Sequence, residues 1–583
     1  MKIVRGFLYV LAFCLALGVA ARAADGQLPA SSFDQVVDRV TARESEYLKN
    51  LEKYTPLVET YIQNTRPDPD LGAVPNGDQY YIGRVAMKEG LEETSFGAEV
   101  PKPEKKKAGL LTRLNPFRFG LFNRGGGGQF KYISKGFADM IIVDNGRFDR
   151  AHYDFRFVRR EFLGEVRTIV IDVSPKTQPS AKKKGVEEYV SNGMFLGRIW
   201  VEDQDYNIVR ANGTYVPNPK NASYLHFDTW RLEMGPALWL PAYIYTEESD
   251  LKVGKREVSF KAQTRLWGYD VTRPGKDQEF TTISIEAVDP VKDQSPVTQD
   301  LSPVASQRAW ERQAEDNVLE RLERAGLVSP EGEVDKVLAT VVNNILITNN
   351  IEIHPEVRAR VMLTAPLESF TVGHTIVVSR GFLDVLPDEA SLASVLAHEL
   401  SHIVLGHRLD TKYAFNDRML FSDQSTFYSL NVRRTEQEEA EADKKAVELL
   451  NNSPYKDKLG SAGLFLAALK ARSADLPNLL RAKMGNVVMV GGEVRMTALT
   501  NAAPKLEPND PMQMAALPLG ARIKLDPWSN KIEMLKTKTV GTLSAREKMQ
   551  FEVTPLFPYL MRQASASGVV PPGTAKLASN TSN

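Results

Sequence analysis

The chain has 583 residues, of which 43% are hydrophobic and 25% charged, with 73 Lys plus Arg against 73 Asp plus Glu. That is apolar material enough for two or three cored domains, and it excludes a mostly disordered chain. The charge balance shows no basic excess of the kind nucleic acid requires, and a single cysteine, Cys14, excludes a disulfide framework.

At the N-terminus, Lys2 and Arg5 precede an apolar run from Phe7 to Ala20, followed by Ala21-Arg22-Ala23 ahead of Ala24-Asp25. This is the pattern of a secretory signal peptide over 1–23, cut after Ala23. The run is shorter than the roughly 20 apolar residues of a spanning helix. Removing it takes away Cys14, Lys2, Arg5 and Arg22, so the mature chain has no thiol and carries 70 basic against 73 acidic side chains. No later stretch is long and apolar enough to cross a bilayer, so the expectation is an exported protein, periplasmic or secreted, with no transmembrane segment in its mature chain.

Residues 24–96 read as an N-terminal helix, from about Ser31 to Thr55, followed by first strands. Residues 97–130 read as a flexible insertion, with the Lys105-Lys106-Lys107 run and four glycines from Gly125 to Gly128. From 131 to 288 one strand follows another. Arg167 to Val173, Gly197 to Val201 and Asn207 to Arg210 are rich in β-branched residues with turn residues between them, as in a large antiparallel sheet. With Trp230 and Trp239-Leu240-Pro241, the Gly197 to Arg210 stretch resembles the curved sheets of LolA-type lipoprotein carriers. That resemblance implies envelope lipid or lipoprotein contact through the sheet domain, although the same aromatics can fill a core, which is the reading preferred here.

Residues 289–308, with Pro290, Pro296 and Pro303, read as a linker, and helical patterns follow over Ala309 to Ala325 and Glu333 to Thr348. Short strands are expected at Arg360 to Thr364, Ser369 to Val372 and Thr375 to Ser379. Asp388 is a plausible cap for a helix carrying Leu392, Val395, Leu396 and Ile403 at helical spacing. On that helix stands His398-Glu399-Leu400-Ser401-His402. Histidines four apart share a helix face and can hold one zinc ion, and the glutamate between them can serve as general base.

A catalytic zinc usually takes three protein ligands. Among the carboxylates of Glu436 to Asp443, helical phase puts Glu439 on the stripe of Ala442, Ala446 and Leu450 that would pack inward. Glu439 is the preferred third ligand and Glu436 the runner-up. Glu438 and Glu441 fall on a solvated face, with Glu438 in a capping box with Thr435. Asp443, one turn after Glu439, can orient a ligand histidine.

His398 to His407, with Glu439-Ala440-Glu441-Ala442-Asp443 and the preceding Ile376 to Leu383, resembles the M48 peptidases, the gluzincin family of the CAAX prenyl proteases and the HtpX heat-shock proteases. The resemblance covers roughly Ala309 to Thr554. It implies that His398, His402 and Glu439 bind one zinc ion, that Glu399 is the base and that Asp443 supports a ligand. It also implies that Ser369, Phe370, Thr371 and Val372 form a substrate-facing edge strand. His407, out of helical phase with the ligands, reads as structural. The edge carries Glu368-Ser369-Phe370 where the family often has Asn-Ala-Phe, and no histidine follows His407, which leaves Arg522 as a candidate transition-state donor.

The expected fold is α+β: an antiparallel β-rich N-terminal domain, then a mainly helical zincin-type peptidase domain with a small sheet over 309–555, and a disordered tail over 556–583. The expected function is that of an exported zinc endopeptidase acting on protein or peptide substrates, with no nucleic-acid partner and a role in envelope protein quality control. A chaperone-like or lipoprotein-binding protein with latent peptidase activity is the alternative from another class.

Overall fold

The computed structural model describes residues 30–69, 72–86, 92–95, 137–144, 146–176, 194–216, 225–253, 256–271, 303–407, 432, 434–482, 484–486, 488–490, 493–507, 523–525, 532–534, 551, 553 and 558–562. The expected signal peptide, the insertion at 97–130, most of the 289–308 linker and Arg522 lie outside the described residues.

Helix α1 (Ala30–Leu51) leads into strands β1 (Leu57–Asp68), β2 (Gly72–Ala86) and β3 (Glu92–Ser95). After them come β4 (Tyr153–Leu163), β5 (Val166–Pro175), β6 (Met194–Glu202), β7 (Ile208–Val216), β8 (Phe227–Gly235), β9 (Leu238–Val253) and β10 (Arg256–Trp267). All ten form one antiparallel sheet in the order β3-β2-β1-β10-β9-β8-β7-β6-β5-β4. The first strands, expected as a unit of their own, therefore belong to the large sheet, because β1 pairs with β10 from Leu57↔Trp267 to Thr65↔Ser259.

Side chains alternate across this sheet, and apolar clusters pack on both faces, while the row Arg156, Asp172, Arg198 and Asn212 across β4 to β7 is partly open to solvent. Val58 and Ile62 of β1 face a cluster with Val36, Val40 and Leu51 of α1 and with Met140 and Ile141. Leu57 and Tyr61 face the opposite way, into a cluster that also holds Trp200, Trp230, Trp239 and Trp267. That second cluster continues into the C-terminal half through Val318, Leu319 and Leu338. The tryptophans behind the carrier resemblance are thus core residues, with Trp230 and Trp239 exposed by no more than 2%.

The C-terminal half begins with α2 (Pro303–Arg324) and α3 (Glu333–Thr348). A three-stranded sheet follows, ordered β11-β13-β12, from β11 (Arg358–Met362), β12 (Ser369–Val372) and β13 (Thr375–Ser379). Then come α4 (Arg380–Val385), α5 (Glu389–Val404), α6 (Glu436–Asn451), α7 (Leu459–Arg472), and α8 (Thr497–Ala502). Short ribbons pair β14 (Met489–Val490) with β15 (Glu493–Val494), and β16 (Ile523–Leu525) with β17 (Ile532–Met534). The architecture is α+β, a large antiparallel sheet followed by a helical region with a small sheet.

Polar groups buried at the contact between the halves set their register. Glu59 of β1 sits 2.7 Å from Arg380 of α4, accepts the Ala365 backbone N–H, and accepts 3.0 Å from Tyr80. Arg380 also reaches Asp384 at 3.2 Å and donates to the Leu363 carbonyl. Gly381 has no room for a side chain, since a Cβ there would stand 1.9 Å from the Ala365 carbonyl oxygen. Farther along, Asp78 of β2 accepts the backbone N–H groups of Asn478 and Leu479 at 2.8 and 2.7 Å. Part of the expected tail is packed rather than loose. Leu560 is fully buried, its carbonyl accepts the Glu165 N–H at the β4–β5 turn, and Arg562 pairs with the buried Glu202 at 2.5 Å.

Removing one partner of a buried ion pair leaves the other charge uncompensated, at a cost of about 3–5 kcal/mol. Glu59→Ala is expected to lower unfolding free energy by about 3 kcal/mol, because Asp384 still offsets part of the Arg380 charge. Urea unfolding followed by tryptophan fluorescence reads this, and a midpoint unchanged from wild type would refute the clamp.

Candidate metal centre

Helix α5 begins where Asp388 accepts the Ser391 N–H at 2.8 Å, and its side chains from Ala390 to His402 are buried almost without interruption. Small residues Ala393, Ser394, Ala397 and Ser401 let neighbouring elements come close on all sides. Helix α6 begins at the capping box of Thr435 and Glu438 and packs against α5. Glu439 then lies on its inward face at 2% exposure, while Glu436 is exposed. Glu436, one turn earlier at the first helical position, lies outside the buried contact that holds Glu439.

The structure brings His398, His402 and Glu439 together, with one donor atom from each inside 4.8 Å of the others. His398 Nε2 and His402 Nε2 are 3.3 Å apart, and they stand 3.2 and 3.7 Å from the two Glu439 oxygens. A tetrahedral ion with bonds of about 2.0–2.1 Å needs ligand atoms roughly 3.3–3.4 Å apart, so the spacing of the two nitrogens and the Glu439 carboxylate is compatible with zinc. Asp443 Oδ1 lies 2.9 Å from His398 Nδ1, on the side away from this cluster. Arg495, from the segment after β15, lies 3.3 Å from Glu439.

Glu399 is fully buried beside the cluster. Its Oε1 accepts the Ser369 hydroxyl at 2.7 Å and the Asn486 amide at 3.4 Å, whereas its Oε2 has no hydrogen-bond partner among the described residues. Burial pushes the Glu399 carboxyl above its ordinary range, the neighbouring His398 opposes this, and the second carboxylate at Glu439 adds to it. Burial disfavours a charged ring at His398, but the carboxylates of Asp443 and Glu439 outweigh it and raise the group to about 10. Burial and the charge on His398 push His402 down to about 2.

Strand β12 lies at the edge of the small sheet, and pairing alternates along it. Ser369 turns its carbonyl outward, where the Asn486 N–H donates at 2.9 Å. The same crossing segment is held by Glu368, which accepts the Met484 and Gly485 N–H groups. Thr371 receives a hydrogen bond from Arg434 Nη2 at 2.7 Å, while Arg434 Nε and Nη1 have no partner among the described residues. Sequence reasoning missed Asn486, Arg434 and Arg495, which lie outside the periodic elements it relied on; Glu368 and Ser369 were noted, but not what they hold.

Residues 333–464 match the model of peptidase family M48. No curated protein matches the chain. Among solved structures, an outer membrane lipoprotein-sorting protein domain from Vibrio parahaemolyticus is similar at 9% identity and a TM-score of 0.20, covering 39% of this chain and 92% of its own. A DUF1329 family protein from Desulfovibrio piger is similar at 12% identity and a TM-score of 0.19, covering 41% and 93% respectively. Likeness at those scores carries no argument, whereas the family match, over less than half of the chain, spans the His-His-Glu cluster and supports a metallopeptidase. No helix among the described residues is long and apolar enough to cross a membrane.

To bind a metal, His398 must give up a proton it otherwise holds to about pH 10. Lower pH therefore favours the proton over the metal, and zinc affinity is expected to rise roughly tenfold per pH unit between about pH 6 and 9. Calorimetry in buffers of different ionisation enthalpy should record about one proton released per zinc. An affinity independent of pH would contradict the arrangement.

Proposed function

We propose that this chain is an exported zinc-dependent endopeptidase, in which His398, His402 and Glu439 hold the metal and Glu399 is the general base. The observation that carries this reading is the buried convergence of those three donor atoms, with a free Glu399 oxygen beside them. When bound, zinc supplies a Lewis acid that polarises the scissile carbonyl and lowers the pKa of a coordinated water.

The chain's own residues do the rest. Ser369 and Asn486 hold one oxygen of Glu399, leaving the other to take the proton from the attacking water and deliver it to the leaving amine. The raised pKa of Glu399 suits both tasks, since a stronger base takes the proton more readily and the resulting acid survives to the second step. Asp443 fixes the ring of His398. An extended substrate would pair along β12, beside Thr371 and Arg434. With Arg522 outside the described residues, Arg434 is the stronger candidate for the donor to the developing oxyanion, because two of its nitrogens lack partners.

The reading places the protein in the periplasm or outside the cell, acting on envelope proteins after removal of residues 1–23. One observation favours the alternative of a binding protein with latent peptidase activity: Asn486 already occupies the outward carbonyl of Ser369. Against its lipid or lipoprotein-binding part, the tryptophans that carried the carrier resemblance are core residues.

Glu399→Gln is expected to reduce cleavage of an unfolded protein substrate by at least about a thousandfold while zinc remains bound, and a chelator should abolish wild-type cleavage. Comparing peptides released by wild type and variant identifies internal or terminal cleavage. Undiminished hydrolysis by Glu399→Gln would overturn the mechanism, and no hydrolysis by either protein would favour the latent reading.

A further inference from the structure

His407 follows the motif by five residues, out of phase with a continuing helix, yet it lies against the second ligand. The reason is the way α5 stops. Gly406 adopts a left-handed φ of +72° and donates its N–H to the Ile403 carbonyl, while the His407 N–H returns to the His402 carbonyl at 2.9 Å. These two bonds form the Schellman arrangement, which reverses the chain just past a helix end. The turn folds the His407 ring back until its Nδ1 is 3.0 Å from His402 Nδ1, with its side chain nine-tenths buried. On the far side, His407 Nε2 lies 3.3 Å from Glu441 Oε2, and Gln437 donates to the other Glu441 oxygen at 2.9 Å.

We propose that His407 is a positioning residue for the metal centre, accepting the Nδ1 proton of His402 and passing the orientation on to Glu441. The inference rests on the metallopeptidase reading above. If His402 binds metal through Nε2, its Nδ1 must carry the proton. The nearest acceptor is His407 Nδ1, which then leaves its own proton on Nε2, facing the Glu441 carboxylate. The two ligand histidines are therefore supported differently: His398 directly by the carboxylate of Asp443, and His402 through a second imidazole. Glu439, Glu441 and Asp443 of one helix become the ligand and the two ends of its supports, so Glu441 does more than solvate an outer face.

The test is zinc affinity, measured by competition with a chromogenic chelator, together with the unfolding midpoint of the zinc-free protein. His407→Leu, which keeps bulk but removes the acceptor, is expected to weaken zinc binding about 10–100-fold. His407→Gln, whose amide oxygen can accept, should recover part of that loss. Glu441→Ala changes an exposed side chain that does not endanger the fold, and should weaken zinc severalfold. Equal affinity in wild type, His407→Leu and Glu441→Ala would overturn the inference. So would losses that track a lowered zinc-free midpoint with no recovery in His407→Gln. Failure of wild type to bind zinc at all would overturn the metallopeptidase reading and this inference with it, which separates the two failures.

Discussion

The compensation of charge inside the contact between α5 and α6 is the constraint on which the rest of the site depends. Two carboxylates, Glu399 and Glu439, are each exposed by no more than 2%, and isolated anions in such a place are costly. They persist because imidazoles, arginines and hydroxyls surround them, and because the donor cluster accepts a cation. The two histidines respond in opposite directions, His398 toward the charged form and His402 toward the neutral one. Asp443 and Glu439 hold a charge on His398 against burial, whereas burial and the charge on His398 disfavour one on His402.

The parts legible in the sequence were those governed by local periodicity. The helix over Glu333–Thr348 and the strands at 369–372 and 375–379 fall where spacing places them, the Asp388 cap forms, and Glu439 is buried while Glu441, out of phase with it, is exposed. What periodicity could not show is contact between segments distant in sequence. Nothing in the run around Asn486 announces that its backbone meets Ser369 or that its amide reaches Glu399. That the contact of His407 with His402 was not legible has a more particular cause. Phase arguments assume that the helix goes on, and Gly406 ends it; the glycine was visible, but the direction of the returning chain depends on tertiary packing.

The sheet domain bears on the site mechanically. Asp78 pins residues 478 and 479, and seven residues later the same stretch brings Asn486 to Glu399. Glu59 pins the loop and helix that flank β12. Strand β12 and its flanking segments are thus held from behind by β1 and β2, while the tryptophans of β6, β8, β9 and β10 lie in the apolar cluster shared by the two halves.

The pairing of β1 with β10 joins chain segments about two hundred residues apart. Such distant closures are slow to form, because the entropy of the intervening loop is lost before the contacts compensate for it. Yet β1 carries Glu59, on which the position of α4 depends. A chain emerging N-terminus first would thus have to close this long loop to seat β1 in the sheet, and the clamp around Arg380 needs a longer closure still. The topology thus couples the seating of α4, and with it the flank of β12, to closure of the large sheet.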